Sequence, residues 1–242
     1  MKSFLTTIGQ VIFSLTMYII GTILFALALM PGVYLILKAW SITSAMHGFF
    51  KFFIFGISLS AAYFLFGFSL ILLVGLVRII FQLKLKEGDY PIFSLGALNW
   101  AFCGGMQLFI SFTFIDFILL TPFANLLLRL LGAKLGLNVQ INSKSIADAS
   151  LLEIGDNTVI GGNATIICHI FERGKLKLRK VKIGKNVTVG LNSVIMPGCE
   201  IGDNAIIGAS AVLLKDTKVE ARDVYFGVPA ESIRKRKDAE KQ

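Results

Sequence analysis

Two histidines, His47 and His169, are present in the chain. An imidazole accepts and returns a proton near neutral pH, which suits it to general-base work. Such a base needs a carboxylate to fix its tautomer. Three are candidates for His169: Glu172 is near in sequence, while Asp148 and Glu153 precede it by 21 and 16 positions and are expected one turn of the chain below it. The residues alone leave the choice open. Cys168 carries a thiol, but a neighbour of His169 on an extended chain points the opposite way. The three cysteines, Cys103, Cys168 and Cys199, show neither metal spacing nor a paired framework. His47 lies beside a loop in an apolar region and reads as interfacial.

The elements that must position His169 are legible as a repeat. An aliphatic residue recurs every sixth position: Ile154, Ile160 and Ile166, then Ile183, Val189, Ile195, Ile201, Ile207, Leu213 and Val219. Four places after eight of the ten sits a compact residue, such as Thr158, Ala164, Ser193, Cys199 or Ala205. Period six fits neither a helix nor an ordinary strand. It fits a chain that turns a corner every six residues, three corners making one coil of a triangular parallel β-helix. Glycines (155, 161, 184, 190, 202, 208) and asparagines (157, 163, 186, 192, 204) are expected to serve the corners, because both tolerate positive φ. From Ile166 to Ile183 the step is 17, not the 18 of a full coil. The segment between, CHIFERGKLKLRKVK, lacks the compact-residue rule and reads as a loop thrown out from the coil. It carries His169.

These residues resemble the hexapeptide-repeat acyltransferases, whose catalytic domain is a left-handed parallel β-helix. The resemblance is carried by Ile183-Gly184 to Pro197-Gly198, Ile201-Gly202-Asp203-Asn204, Ile207-Gly208-Ala209-Ser210 and Lys215-Asp216. It ends in Tyr225-Phe226-Gly227-Val228-Pro229-Ala230 and Ile233-Arg234-Lys235, which look like the family's exit segment. His169 falls where the family's loop carries a catalytic histidine. Thr188 departs from the Trp that many soluble members carry, so their small sugar acceptors are not carried over. A second, shorter resemblance lies upstream. Gly88-Asp89-Tyr90-Pro91, Thr121-Pro122 and residues 129–136 look like the junction in membrane-embedded terminal domains of some nonribosomal peptide synthetases, where hydrophobic helices lead into a hexapeptide coil.

Composition divides the chain. It is 55% hydrophobic and 16% charged over 242 residues, against about a quarter charged in soluble domains, and its mean hydropathy is +0.74. Residues 1–132 hold seven basic and three acidic residues, while residues 133–242 hold 17 and 12. We therefore expect a transmembrane helical domain over 1–132 and the β-helix with a basic tail over 133–242. Residues 8–37 and 52–77 lack charge for long enough to cross ~30 Å of hydrocarbon. The first is too long for a signal peptide, and it has Pro31-Gly32 where a cleavage site would need small residues. Residues 92–120 give a third apolar stretch, interrupted by Asp116. It either spans once or dips in as a hairpin turning at Gly104-Gly105. Asp116 would be costly to bury and is expected to mark a polar cavity or a helix contact. Residues 123–131 read as an interfacial helix after Pro122. The net charge of +9 comes without aromatic-basic interleaving, so no nucleic-acid partner is expected. The basic tail from Arg234 to Lys237 instead suits anionic lipid or a phosphate-bearing cofactor.

The resemblance implies a membrane-bound acyltransferase with His169 as general base, moving acetyl from coenzyme A to an amphiphilic acceptor: a glycan, glycolipid or peptide-like product at the membrane. It implies a homotrimer with the coenzyme between subunits, its pantetheine arm near Gly190, Ala209 and Ser210 and its phosphates near Lys215, Arg234 and Lys235. Corner geometry explains the first group, and a solvated face the lysines, equally well. The thioester pool would put the β-helix on the cytoplasmic side of the cell membrane. No metal is expected: β-helix carbonic anhydrases use three histidines, and the C-terminal half has one. The rival reading is a non-catalytic trimeric scaffold in a surface-polymer assembly, which would need no base.

Overall fold

The structure, a computed structural model, describes residues 2–234. It comprises two compact units, one of Met1–Val77 with Gly105–Thr113 and one of Arg78–Gly104 with Phe114–Gln242. The composition change near Gly132 falls inside the second unit.

The first unit is helical. Helix α1 covers Lys2–Ile42 and α2 covers Phe49–Ile80. Both are long and apolar enough to cross a membrane by length and composition. Pro31 lies inside α1. Small residues let the helices approach closely. A Cβ added at Gly32 would stand 2.9 Å from the Ala62 Cβ, and one at Gly21 would stand 2.7 Å from the Phe109 ring. Phe25 meets Phe66 and Phe109 edge-on, each at 5.6 Å between centroids. Helix α3 (Leu95–Ser111) runs unbroken through Gly104 and Gly105, so the hairpin turn expected there does not form. At 1.5 Å per residue α3 is about 25 Å long. It is followed by a single 3-10 turn at Ile115–Phe117, so residues 92–120 are not one continuous helix. Two glycines weaken a helix without ending it.

The second unit is built on the coil. The ten inward aliphatic residues predicted from the period are each under 5% exposed. Their strands form three parallel faces. One stacks Lys134–Leu135, Leu152–Ile154, Val181–Ile183, Glu200–Ile201 and Lys218–Val219. Outward side chains on that face alternate in sign, Lys134, Glu153, Lys182, Glu200 and Lys218, with pairs at 2.8 Å. The five predicted asparagines hold φ between 53° and 59° at corners. The six glycines do not take positive φ, contrary to expectation. They are needed where rungs stack: a Cβ on Gly155 would lie 2.7 Å from the backbone of Gly184.

Two irregularities break this coil. A first rung at Lys134–Leu135 and Gln140–Ile141 precedes the part of the repeat visible in sequence. Leu135 pairs with Ile154 nineteen positions on, one more than a regular coil. The surplus lies before Ile154, where Asp148 adopts a left-handed conformation ahead of a short 3-10 turn, Ala149–Leu151. The second break is larger. Ile154 pairs with Ile183, 29 positions on, whereas Ile183 pairs with Ile201, 18 on. The expected loop is therefore present. It is a corner with eleven residues inserted, folded as an antiparallel hairpin of His169–Glu172 and Lys175–Leu178. Arg173 and Gly174, both with positive φ, make its two-residue turn. The outer edge of Lys175–Leu178 is covered by a strand from before the coil, Gly88–Pro91.

Helix α4 (Pro122–Leu130) begins at the Thr121 cap, whose hydroxyl accepts from the Phe123 N–H at 3.2 Å, with Pro122 in the first turn. It buries Ala124, Leu127 and Leu128 and leaves Phe123 and Leu126 exposed. Asp116 is exposed rather than buried, and it pairs with exposed Lys144 at 3.1 Å.

Candidate active site

The two irregularities meet. The left-handed turn at Asp148 and the start of the inserted hairpin bring His169 Nδ1 within 2.6 Å of Asp148 Oδ2. Of the three carboxylates open in the sequence, the structure selects Asp148. Glu153 is engaged by Lys134 and lies near Lys180. Glu172 accepts from Lys177 at 2.9 Å and also from Lys215.

Asp148 is buried, its side chain 5% exposed, and the His169 ring is 24% exposed. Burying a carboxylate is costly unless donors surround it. Here three N–H groups do so. Cys168 N–H donates to Oδ2 at 3.1 Å, and Trp100 Nε1–H donates to Oδ1 at 2.8 Å. With Asp148 as acceptor, Nδ1 of His169 carries the hydrogen and Nε2 keeps its lone pair. Trp100 also lies against the imidazole, ring centroids 4.8 Å apart, and Phe171 adds a second aromatic edge. The arrangement is an oriented base with one free nitrogen, partly shielded from water.

Trp100 was not anticipated from the sequence. It sits in α3, whose first turn is capped by Ser94 Oγ accepting from Ala97 N–H at 3.2 Å. The available signal was Asn99, Trp100 and Cys103, polar groups within one turn of an otherwise apolar stretch.

Cys168 is fully buried, and burial pushes its thiol well above the usual range, so it is a packing residue. Cys199 fills the compact position predicted for it, its thiol pushed up to about 11 by burial.

The residues expected at a coenzyme groove divide. Gly190 stacks directly on the next rung; a Cβ there would lie 2.5 Å from Ala209 N. That space is filled by the chain's own backbone. Ala209 and Ser210 are exposed at the adjacent corner, Ser210 with φ 58°. Lys215 lies against the hairpin through Glu172, whose carboxyl the Lys215 and Lys177 ammonium groups hold at about 2. Arg234 donates to the Arg222 carbonyl at 2.6 Å, turned onto its own last corner. Lys235 lies outside the described residues. His47 belongs to the first unit, and its Nδ1 is 2.8 Å from the Met46 carbonyl.

Residues 180–215 match the family described as bacterial transferase hexapeptide (six repeats), and residues 152–168 match the hexapeptide repeat of succinyl-transferase. The chain is 24% identical over 177 residues to delta-poly-L-ornithine synthetase of Acinetobacter baumannii, covering 72% of this chain and 13% of that one. It is 36% identical over 104 residues to galactoside O-acetyltransferase of Escherichia coli, covering 40% of this chain and 50% of that one. The chain thus spans half or less of the length of these relatives. Among solved structures, a hexapeptide-repeat acetyltransferase from Vibrio cholerae, complexed with acetyl coenzyme A, aligns with TM-score 0.48 and 19% identity, covering 64% and 96%.

Proposed function

We propose that this chain, whose β-helix half belongs to the hexapeptide-repeat acyltransferase family, moves an acyl group, acetyl in the first instance, from a coenzyme A thioester to a hydroxyl or amine. The observation that carries this reading is the 2.6 Å contact between His169 Nδ1 and Asp148. It leaves Nε2 as the base. The acceptor's oxygen or nitrogen bonds to the thioester carbonyl carbon as its proton moves to Nε2. The carbon–sulfur bond breaks, and the proton passes from Nε2 to the departing thiolate. General-base participation of this kind contributes about 10²–10⁴ in rate. A scaffold would have no use for a buried carboxylate holding a histidine in one tautomer.

For the coenzyme, the exposed corner of Ala209 and Ser210 is the part of the chain open to a pantetheine arm, with Gly190 in a supporting, structural place. Lys215 could reach a phosphate by exchanging Glu172 for it; Arg234 and Lys235 are the other cations. We place the coenzyme between subunits of a homotrimer, to be checked by light scattering in detergent. The exposed apolar faces of α1 and α2, among them Tyr18, Ile19, Phe49 and Phe53, are surfaces that water does not favour, and they support an anchor in the cell membrane. The anchor holds the site near an amphiphilic acceptor, and the thioester pool argues for a cytoplasmic β-helix.

The test is transfer of labelled acetyl from acetyl coenzyme A into a native membrane extract, analysed by mass spectrometry of lipids and glycans. Wild-type chain should label an acceptor. His169→Ala and His169→Gln should both fall by about 10²–10⁴, since an amide takes up no proton. Wild-type rates in either variant would remove His169 from the mechanism.

A further inference from the structure

We infer that Trp100 is a positioning residue for the Asp148–His169 pair, an inference that rests on His169 acting as the base. The two oxygens of Asp148 are divided between partners. Oδ2 takes the imidazole and the Cys168 N–H, and Oδ1 takes the Trp100 indole N–H at 2.8 Å. The indole thereby fixes the rotation of the carboxylate. Without it, Oδ1 would be buried with no partner, and the carboxylate would gain by turning away from the imidazole to share its donors. Backbone geometry already holds Asp148 at φ 56° and ψ 42°, so side-chain rotation is the freedom that remains. The same indole lies 4.8 Å from the imidazole, tilted 58°, and closes one side of that ring to water. Trp100 itself is fixed by Phe171 at 5.4 Å, edge to face, from the first strand of the hairpin. The base is thus held by a side chain some seventy residues upstream, on a helix outside the coil. No part of the hexapeptide repeat supplies this contact.

The test uses the full chain in detergent, with two substitutions. Trp100→Phe keeps an aromatic ring and removes the donor. Replacement of Trp100 by benzothiophenyl-alanine keeps the bicyclic shape and volume, with sulfur where the N–H was, so packing is preserved even if the phenylalanine variant folds poorly. The first readout is the ¹⁵N spectrum of the imidazoles. The chain has two histidines, so a His47→Gln background leaves His169 alone. With Trp100 present, neutral His169 should show a single Nδ1–H tautomer; in both variants the Nε2–H form should appear. The second readout is acetyl transfer. The turnover number should fall about 10- to 100-fold, as for a lost hydrogen bond to a charged group, with KM for acetyl coenzyme A changed less than about twofold.

An unchanged single tautomer in the benzothiophenyl variant would overturn the proposal, whatever happens to the rate, because the ring would then be only a wall. A mixed tautomer with an undiminished rate would overturn it too. If the tautomer shifts as expected but the chain with Trp100 intact transfers no acetyl, the positioning role stands and the acyl-transfer reading falls.

Discussion

Asp148 and His169 stand 21 positions apart in sequence and 2.6 Å apart in space. Each sits at a departure from an otherwise regular coil, one at a surplus residue and the other at an eleven-residue insertion. The coil supplies a frame, and the site is made where the frame is interrupted. Asp148→Asn should keep the shape but lose the charged acceptor, and its amide can present a donor to Nδ1. Turnover should fall by about 10²–10⁴, and stability by about 1.5–3 kcal/mol from the weakened charged hydrogen bonds. Steady-state kinetics and a thermal melt on the same preparation separate the two effects.

Gly190→Ala separates two roles for one residue. If stacking is what Gly190 does, the new Cβ, 2.5 Å from Ala209 N, forces rungs apart, and stability should fall by about 1–3 kcal/mol with or without coenzyme. If it served only coenzyme approach, the melt would be unchanged and KM for the thioester would rise. We expect the first outcome. As a control for coil packing, Ile195→Ala should cost about 2–5 kcal/mol, and Ile195→Asp should prevent folding.

The coil was legible because a period of six has no competing explanation, and the inward positions followed from it. The site was legible only in part. His169 stood out as the histidine of the irregular segment, but its partner did not. Asp148 lies where the period lapses, on a left-handed residue that no repeat marks, while Glu172 was nearer in sequence. The irregular segment was legible as a loop thrown out from the coil, but not as a hairpin: its step of 17 is one six-residue corner plus eleven inserted residues. Trp100 was invisible because its role is a contact between distant segments, and no local pattern encodes one. The glycines were assigned to turns on conformational grounds, although their lack of a Cβ at the rung-to-rung contact is what the coil uses.

Glu172 gives a pH signature. Lys215 and Lys177 hold its carboxyl down to about 2 from an ordinary value near 4.5. A lowered folded-state value means the contact stabilises the hairpin fully above the unfolded value. That contribution is lost as pH falls from about 4.5 toward 2. The difference in melting temperature between wild type and Glu172→Gln should be constant above pH 5 and shrink across this window. A constant difference down to pH 2 would dissociate Glu172 from the hairpin's stability.

The full chain should resist extraction by carbonate and require detergent, if α1 and α2 are anchors. Release by carbonate alone would refute the anchor. A chain beginning near Gly136 would lack Trp100 and the strand Gly88–Pro91. It should show at least the rate loss of the Trp100 substitutions, whatever its solubility.

The strand Gly88–Pro91 also sets an order of assembly. Asp89 contacts Arg179 at 2.6 Å across 90 positions of sequence, and ring closure over such a length must be met before any contact repays it. During synthesis the upstream strand and Trp100 leave the ribosome first and wait without partners. The later rungs, by contrast, pair with neighbours 18 residues away. Pulse-labelled hydrogen exchange should therefore find the amides of 183–219 protected before those of 169–178. An unfinished chain would carry an open strand edge, and on the proposed mechanism it would transfer no acyl group until the hairpin has been captured.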